Sequence, residues 1–170
     1  MPDTSYSVAV VVGSDSDLPV IEVCLDTLKT LEIPHELRVL SAHRSPEAVH
    51  EFAKECEAGD VGVIIAGAGM AAHLGGVIAG HVQLPVIGVP MPGGAFNGED
   101  ALLATVQMPR GIPVATVAVG KSGAMNAGLL AAEIIALADE AVAERLREFR
   151  ASQTAKVVEK DAKLRRKWPE

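Results

Sequence analysis

The sequence has few aromatic residues and few cysteines. The first scarcity limits the composition of the core, and the second limits how the fold can be cross-linked. Aromatic residues make up 3% of the 170 residues and hydrophobic residues 49%, so a core has to be built from Ala, Val, Ile and Leu. The two cysteines, Cys24 and Cys56, lie in apparent helices without a Cys-x-x-Cys or histidine partner at metal spacing. We therefore expect buried free thiols in a reducing compartment, with neither disulfides nor a zinc site.

Long apolar runs are missing as well. No stretch reaches ~18 uncharged apolar residues without Gly or Pro. The first apolar run, Val8–Val12, is too short for a secretory leader and is predicted to be a strand. We therefore expect a cytoplasmic protein that does not enter a membrane. The length suits one domain, predicted over residues 1–170.

Positive charge is scarce except at one end of the chain. The net charge is −7, which argues against a nucleic-acid partner. Between Arg150 and Glu170, however, seven Lys or Arg stand beside three Asp or Glu. We predict a solvated helical tail there, and the alternative is a patch for RNA or membrane. The mean hydropathy of +0.27 is high for a monomer of this size, so we expect subunit interfaces that hide apolar surface.

Apolar runs alternate with helical patterns along the chain. The predicted strands are Val8–Gly13, His35–Leu40, Val61–Ala66, Pro85–Val89 and Val114–Val119. The predicted helices are Asp17–Leu31, Pro46–Cys56, Ala71–Gly80, Glu99–Val106, Ala124–Leu137 and Glu140–Trp168. Such alternation predicts an α/β fold, a flavodoxin-like three-layer sandwich with a five-stranded parallel sheet in the order 2-1-3-4-5. A long C-terminal helical extension, from about 140 to 168, completes it.

One predicted helix, Ala124–Leu137, is apolar on nearly all sides. A surface helix would carry a polar stripe. We therefore expect this helix to pack between subunits of a homo-oligomer.

Ligands of such sheets lie beyond the carboxyl ends of the strands, and Gly13–Asp17 directly follows the first strand. Its small hydroxyl residues at a helix start offer free N–H groups to a phosphate or another anion. The alternative is simple capping by Ser16 or Asp17, with Pro19 in the first helical turn. No Gly-Lys-Ser/Thr follows, which argues against an NTP hydrolase.

A histidine and an arginine follow the second strand, in the run Ser41-Ala42-His43-Arg44. Arg44 can bind a phosphate or carboxylate through two parallel hydrogen bonds. His43 can move a proton near neutral pH. A lone histidine is usually structural, but this one stands beside Arg44 between small residues that leave room for a ligand. We therefore predict that the chemistry centres on this run.

A glycine-rich segment, Ala66–Leu74, follows the third strand. Its GxGxxA pattern formally matches the dinucleotide fingerprint, but the acidic residue expected ~20 residues later is absent, since Gly88–Pro90 stands there. We therefore do not expect an NAD or FAD site, and predict a bare backbone surface for a flat ligand. His73 is either a ligand contact or a polar group behind one. The loop Pro90–Gly98 either covers a ligand or is an ordinary connection.

Other catalytic patterns are missing from the sequence. There is no Gly-x-Ser-x-Gly elbow, no Ser-x-x-Lys and no His or carboxylate cluster at metal spacing. Nucleophilic hydrolysis and metal catalysis are therefore unsupported, and we expect no metal and no organic cofactor.

Together these segments resemble the PurE family of purine biosynthesis. The motifs GSDSD, SAHRSP, AGAGMAAHLGG, LPVIGVP, VQMPRGIPVATVAVG and NAGLLAAEI occur in family order and spacing between about Val8 and Leu137. The resemblance is closest to the bacterial form, which moves a carboxyl group from the exocyclic nitrogen of N5-carboxyaminoimidazole ribonucleotide to ring carbon four without ATP, metal or organic cofactor. The alternative is the animal-type chemistry, which fixes carbon dioxide directly onto aminoimidazole ribonucleotide.

The resemblance also implies roles for particular residues. His43 would be the general acid and base, Arg44 would bind the phosphate with two serines, and Asp17 would bind the ribose hydroxyls. The substrate-binding positions carried over are Ser14, Ser16, Asp17, Ser41, Arg44, Ala68, Gly69, Met70, His73 and Leu74. The family forms octamers, so the resemblance further implies an octamer whose sites are shared between subunits.

The sequence departs from the family at several positions. Val12 and Leu18 replace a common Met and Trp, and look like packing changes. Gly75 stands where the family usually has Pro, and Met70 where it usually has Gly. The Met70 side chain therefore either narrows the carboxyl pocket or packs against the loop Pro90–Gly98.

Overall fold

The computed structural model describes residues 6–168. The ends of the predicted domain, residues 1–5 and 169–170, lie outside the described residues, so the one-domain boundary stays a prediction. The strands are β1 Ser7–Val12, β2 His35–Val39, β3 Val61–Ala68, β4 Val86–Pro90 and β5 Ala115–Thr116. The helices are α1 Leu18–Thr30, α2 Pro46–Ala58, α3 Leu74–Ala79, α4 Glu99–Val106, α5 Lys121–Ile135 and α6 Glu140–Lys167.

The five strands form one parallel sheet in the order β2-β1-β3-β4-β5, which confirms the predicted fold and topology. In the register, Val12 at the end of β1 stands beside Val39 of β2 and Gly67 of β3. The carboxyl ends of these strands are therefore level, and the loops that follow them meet at one edge of the sheet.

The core lies on both faces of the sheet because successive strand residues point to opposite sides. Val8, Val10 and Val12 face the layer of α1, α5 and the start of α6, and Ala9 and Val11 face the layer of α2 and α3. All five side chains are fully buried. This explains why β1 reads as a continuous apolar run and not as an alternating one. The edge strand β2 is mostly exposed.

Two segments differ from the predicted boundaries around the third strand. β3 continues through Ala68, two residues beyond the predicted end, and α3 begins at Leu74 instead of Ala71. The backbone of Met70 has a φ of +53°. A residue in the left-handed region cannot continue a right-handed helix, so the chain turns there before α3 starts.

The fifth strand is shorter than the predicted Val114–Val119. Only Ala115 and Thr116 pair with β4. The backbone N–H of Val117 still bonds to the carbonyl of Gly88, and the N–H of Gly120 bonds to the carbonyl of Pro90. Between these two hydrogen bonds the chain advances by three residues, whereas β4 advances by two. This mismatch interrupts the regular hydrogen-bond ladder.

Helix α5 begins three residues earlier than predicted and packs mainly within its own chain. Its small residues, Ala124, Ala127, Ala131 and Ala132 among them, are buried, and the helix lies against α1 and β3. Part of its all-round apolar character is therefore explained without a second subunit. Packing of its other side between subunits stays a prediction.

Helix α6 starts on an aspartate cap and ends as an exposed rod. The carboxylate of Asp139 accepts a hydrogen bond from the backbone N–H of Val142 at 3.1 Å, a preferred way to begin a helix. Val142 and Leu146 are buried against the body, whereas every residue from 151 to 168 except Ala162 is exposed. The predicted helical tail is thus present. Within residues 6–168, every helix is too short or too polar to cross a lipid bilayer.

Both cysteines are free and buried, as expected from the sequence. Burial raises the pKa of the Cys24 thiol to about 12. Burial, followed by the nearby charges of Glu36 and Glu55, raises the pKa of Cys56 to about 11. Neither sulfur therefore ionises near neutral pH.

Candidate active site

A cavity of about 690 Å³ lies at the carboxyl edge of the sheet, and its walls come from the loops after β1 to β4. Its volume suits a small-molecule ligand. The lining residues are Gly13, Ser14, Ser16, Asp17, Ser41, Ala42, His43, Arg44, Ala68, Gly69, Met70, Ala71, Leu74, Pro92, Gly93 and Gly94. Every predicted site residue except His73 belongs to this wall. The four loops thus meet where the parallel topology required.

The loop after β1 forms a 3-10 turn, Asp15–Asp17, with Ser14 as its cap. Ser14 Oγ accepts hydrogen bonds from the backbone N–H of Ser16 at 3.3 Å and from the Ser16 hydroxyl at 2.9 Å. Asp17, one of the two caps that the sequence predicted, stands at the N-cap position of α1, but its side chain makes no capping hydrogen bond. Pro19 does lie in the first turn of α1, as predicted.

Asp17 is the acidic group of the cavity. Partial burial raises the pKa of its carboxyl, a backbone hydrogen bond at Ser14 opposes that shift, and the negative charge of Asp15 adds to it. A carboxylate that is partly shielded from water in this way is stabilised by hydrogen-bond donors that a ligand provides. Sugar hydroxyl groups are suitable donors.

Arg44 connects two walls of the cavity. Its Nη2 donates to the carbonyl of Gly13 at 3.2 Å, and its Nε donates to Ser41 Oγ at 3.4 Å. Ser41 Oγ also accepts from the backbone N–H of Arg44, and Ser45 closes the turn with three hydrogen bonds to the backbone of Ser41. Within residues 6–168, Arg44 forms no ion pair with a carboxylate, which leaves its charge available to an anionic ligand.

His43 contacts His73, which stands thirty residues later. His43 Nε2 and His73 Nδ1 are 2.9 Å apart, and the rings meet edge to face. One nitrogen must carry the hydrogen and the other must accept it, because two N–H groups cannot face each other. The tautomers of His43 and His73 are therefore linked.

The structure does not bring His73 into the wall of the main cavity. Two tight hydrogen bonds, from Ala72 N–H to the Met70 carbonyl and from His73 N–H to the Ala71 carbonyl, turn the chain away before α3. His73 therefore lies behind His43, where it lines a separate cavity of about 240 Å³. The sequence left open whether His73 touches the ligand or stands behind such a group, and the geometry favours the second position.

Met70 lies at the mouth of the cavity against the loop after β4. A β-carbon built on Gly94 would lie 3.1 Å from Met70 Cγ and 3.8 Å from Met70 Sδ. Met70 thus both lines the cavity and packs on the loop Pro90–Gly98. Its left-handed backbone costs roughly 1–2 kcal/mol relative to glycine.

Several lining residues lie within the predicted segments but were not named as binding positions. Gly13, Ala42 and Ala71 carry little or no side chain, so no functional group marked them. Pro92, Gly93 and Gly94 lie in the loop that the sequence described as a possible cover. Their position directly after β4 was the one sign in the sequence that they could line the cavity, because every lining loop follows a strand. Among residues 6–168, no three His, Cys, Asp or Glu side chains cluster so as to hold a metal ion.

Comparison with known proteins finds a family model and relatives that match this chain over most of its length. The family model described as AIR carboxylase matches residues 7–156. A Brucella melitensis protein named N5-carboxyaminoimidazole ribonucleotide mutase is 51% identical over 156 residues, which cover 92% of this chain and 96% of that protein. The Escherichia coli K12 protein of the same name is 48% identical over 89% of this chain and 90% of its own length.

The fold comparison agrees with the sequence comparison. The crystal structure of Treponema denticola PurE superposes with a TM-score of 0.84 at 35% identity, and the match covers 92% of this chain and 97% of that one. Agreement at that identity over nearly the whole of both chains indicates common descent as well as a common fold.

Proposed function

Because this chain belongs to the AIR carboxylase family, also called PurE, we propose that its cavity converts N5-carboxyaminoimidazole ribonucleotide to 4-carboxyaminoimidazole ribonucleotide in purine biosynthesis. The mutase name is carried by relatives that match along nearly their whole length. The single observation that supports the site assignment is the His43–His73 contact beside Arg44 and Asp17. His43 as a proton carrier, Arg44 as a cation and Asp17 as an anionic hydrogen-bond acceptor all line one cavity.

The phosphate end of the substrate is assigned to Arg44, Ser14 and Ser16. Arg44 already reaches across to the Gly13 carbonyl, so its guanidinium lies over the loop after β1. The two serine hydroxyls bond to each other in the ligand-free site and can turn to donate to phosphate oxygens. Charge-assisted hydrogen bonds of this kind hold a substrate in a fixed orientation.

The ribose and the imidazole are assigned to the opposite walls. Asp17 accepts hydrogen bonds from the ribose hydroxyls. Ser41 holds the Arg44 side chain in place, because Ser41 Oγ accepts a hydrogen bond from Arg44 Nε. The backbone at Ala68 and Gly69, with Leu74, gives a flat surface for the imidazole ring.

His43 moves one proton twice. It first protonates the nitrogen that carries the carboxylate, the carbon–nitrogen bond breaks, and carbon dioxide and aminoimidazole ribonucleotide form in the cavity. The electron-rich ring carbon four then attacks the carbon dioxide, and His43 takes back the proton that leaves that carbon. No proton, electron or further reactant is consumed overall. Proximity supplies most of the rate, because both fragments stay in one enclosed space.

His73 acts on the proton of His43 and not on the substrate. Because His43 Nε2 faces His73 Nδ1 at 2.9 Å, the proton exchanged with the substrate is carried by the other ring nitrogen, His43 Nδ1. The contact therefore keeps the His43 ring in one orientation through both proton transfers.

The purified protein is expected to convert the N-carboxylated nucleotide to the C-carboxylated one without ATP. The measurement is the absorbance of the product, with aminoimidazole ribonucleotide plus saturating bicarbonate as the parallel reaction. Failure to convert the N-carboxylated substrate contradicts the mutase. Efficient turnover only in the bicarbonate reaction supports the direct carboxylase instead.

The protein is further assigned to the cytoplasm as a homo-octamer with sites shared between subunits. Support for the oligomer comes from large apolar side chains that the single chain leaves exposed, in particular Phe96 in the loop after β4 and Leu103 and Val106 on α4. About half or more of each of these side chains is exposed, although the core of the chain is well packed. Their burial against a neighbour would place a second subunit beside the loop Pro90–Gly98.

Light scattering is expected to give a mass near eight times the 17.7 kDa of one chain. Leu103→Asp should lower that mass, because a charge replaces an apolar side chain at the proposed interface. The matched control is Val157→Asp on the exposed tail, which should leave the mass unchanged. A monomeric parent protein contradicts the assembly.

A further inference from the structure

The exposed tail of α6, residues 151–168, extends beyond the body of the chain. The AIR carboxylase family model ends at residue 156, whereas α6 continues to Lys167, so most of the tail lies outside the matched region. Its large apolar side chains are between 59% and 71% exposed. They are Val157, Val158, Leu164 and Trp168. Apolar side chains of this size on a projecting helix indicate a surface that another molecule covers.

The end of the tail is amphipathic. Phe149, Gln153, Leu164 and Trp168 stand four, eleven and four residues apart, which places them close to one side of the helix. Phe149 packs against the core on this side, and Leu164 and Trp168 continue it without a partner in residues 6–168. The adjoining side carries a row of lysines in steps of four, three and four residues, Lys156, Lys160, Lys163 and Lys167. An apolar edge therefore lies beside a basic one.

An open groove of about 620 Å³ lies between α5 and α6 and shares no lining residue with the main cavity. Its apolar lining comes from five side chains, Val117, Met125, Leu129, Leu130 and Phe149. The charged residues in its lining, Glu133 and Arg150, form an ion pair with each other. The groove thus presents mainly apolar surface and has room for large apolar side chains.

We propose that residues 160–168 of one chain dock into the α5–α6 groove of a second copy, where Leu164 and Trp168 contact its apolar lining. The tail cannot enter the groove of its own chain, because α6 runs as one uninterrupted helix from the groove wall at Phe149 to Lys167. The docking adds to the proposed octamer contact at α4, which involves other side chains. It does not depend on the proposed reaction.

The distribution of charge favours a second copy as the partner. Residues 151–168 contain six Lys or Arg and two Asp or Glu, whereas residues 1–150 contain nine Lys or Arg and nineteen Asp or Glu. A tail with a net charge of +4 is therefore attracted to a body with a net charge of −10. The same acidic body is repelled by anionic lipid and by nucleic acid, which makes these surfaces poorer partners for the tail.

Trp168 is the one tryptophan of the sequence and reports directly on the proposed contact. In the full-length protein its fluorescence is expected to be shielded from acrylamide, with a quenching constant about threefold lower than in the variant Met125→Lys. Lysine at position 125 places a cation in the groove against the basic tail and still favours the helical conformation of α5. The control Leu137→Lys adds the same charge at an exposed position outside the groove and should leave the quenching unchanged.

A mixed assembly tests whether the groove belongs to another chain. Chains with Met125→Lys keep Trp168 but lose the groove, and chains with Trp168→Phe keep the groove but do not fluoresce from the tail. When the two are co-expressed and purified through a different affinity tag on each, shielding of Trp168 is expected to return, because intact grooves of neighbouring chains accept it.

Three results overturn the inference. Equal quenching of the parent and Met125→Lys does so, whether Trp168 is exposed in both or shielded in both. Failure of shielding to return in the mixed assembly does so, because the contact then lies within one chain. Shielding that appears only after phosphatidylglycerol vesicles are added assigns the tail to a lipid surface instead. Turnover of the nucleotide enters none of these measurements, so a loss of activity bears on the proposed function alone.

Discussion

The variant His43→Asn is expected to fold and to bind nucleotide but to lose turnover by several orders of magnitude. Asparagine occupies similar space and can still donate to His73 Nδ1, yet its amide does not carry a proton near neutral pH. General acid and base catalysis contributes typically 10²–10⁴-fold, and here one residue serves both half-reactions. The measurement is turnover of the N-carboxylated nucleotide, with calorimetric titration of a nucleotide as the separate test of binding.

His35→Asn provides the control for this prediction. His35 lies on the edge strand β2, and its Nδ1 contacts the backbone carbonyl of Ile33 at 2.8 Å, away from the cavity. The same chemical change there should leave turnover close to that of the parent. Near-normal turnover of His43→Asn removes His43 from the proposed role. Loss of nucleotide binding together with turnover would instead make His43 a binding residue.

The variant Gly123→Ala is expected to destabilise the fold by about 3 kcal/mol or more, a large effect for one methyl group. Gly123 lies in the first turn of α5 and is buried. A β-carbon at this position would overlap the carbonyl oxygen of Ala118 and lie 2.6 Å from its carbonyl carbon. The obstacle is backbone and not a flexible side chain, so relief requires the turn from β5 into α5 to move. Urea unfolding of parent and variant measures the difference.

Gly80→Ala makes the same chemical change where there is room. Gly80 ends α3 with a φ of −75°, which any residue adopts, and the nearest atoms to an added β-carbon are 3.5 and 3.6 Å away. Its effect should stay within about 1 kcal/mol and can be stabilising, because alanine restricts the unfolded chain. Equal stability of the two variants would show that the turn before α5 is not rigid.

The fold could be predicted from the sequence because its signals are local and repeated. Apolar runs such as Val8–Val12 are too short for anything but buried strands, and the helical patterns between them force parallel connections. The approximate site followed from the same topology, since chemically useful residues such as His43 and Asp17 come directly after strands. Element ends were less accurate, as the shortened β5 illustrates, because the ladder depends on how two chain segments match in length.

Other features of the site depend on contacts between distant segments and have no local signal. Nothing near His73 in the sequence indicates that its ring meets His43 at 2.9 Å. The left-handed backbone of Met70 was equally hidden, because methionine seldom adopts it. Substitution of a common family glycine was the one available sign, and it pointed to the correct loop without giving the conformation. The cap on Ser14 was missed because a 3-10 turn does not follow the spacing of an α-helix.

The burial of both cysteines has a practical consequence for labelling. Cys24 and Cys56 are almost completely shielded and stay protonated near neutral pH, so maleimides and other thiol reagents find no reactive sulfur on the native enzyme. A single cysteine introduced on the exposed tail, for example at Val157, would then carry a dye or spin label without prior removal of the native thiols. Distances between the subunits of the proposed octamer could then be measured in the otherwise unaltered protein.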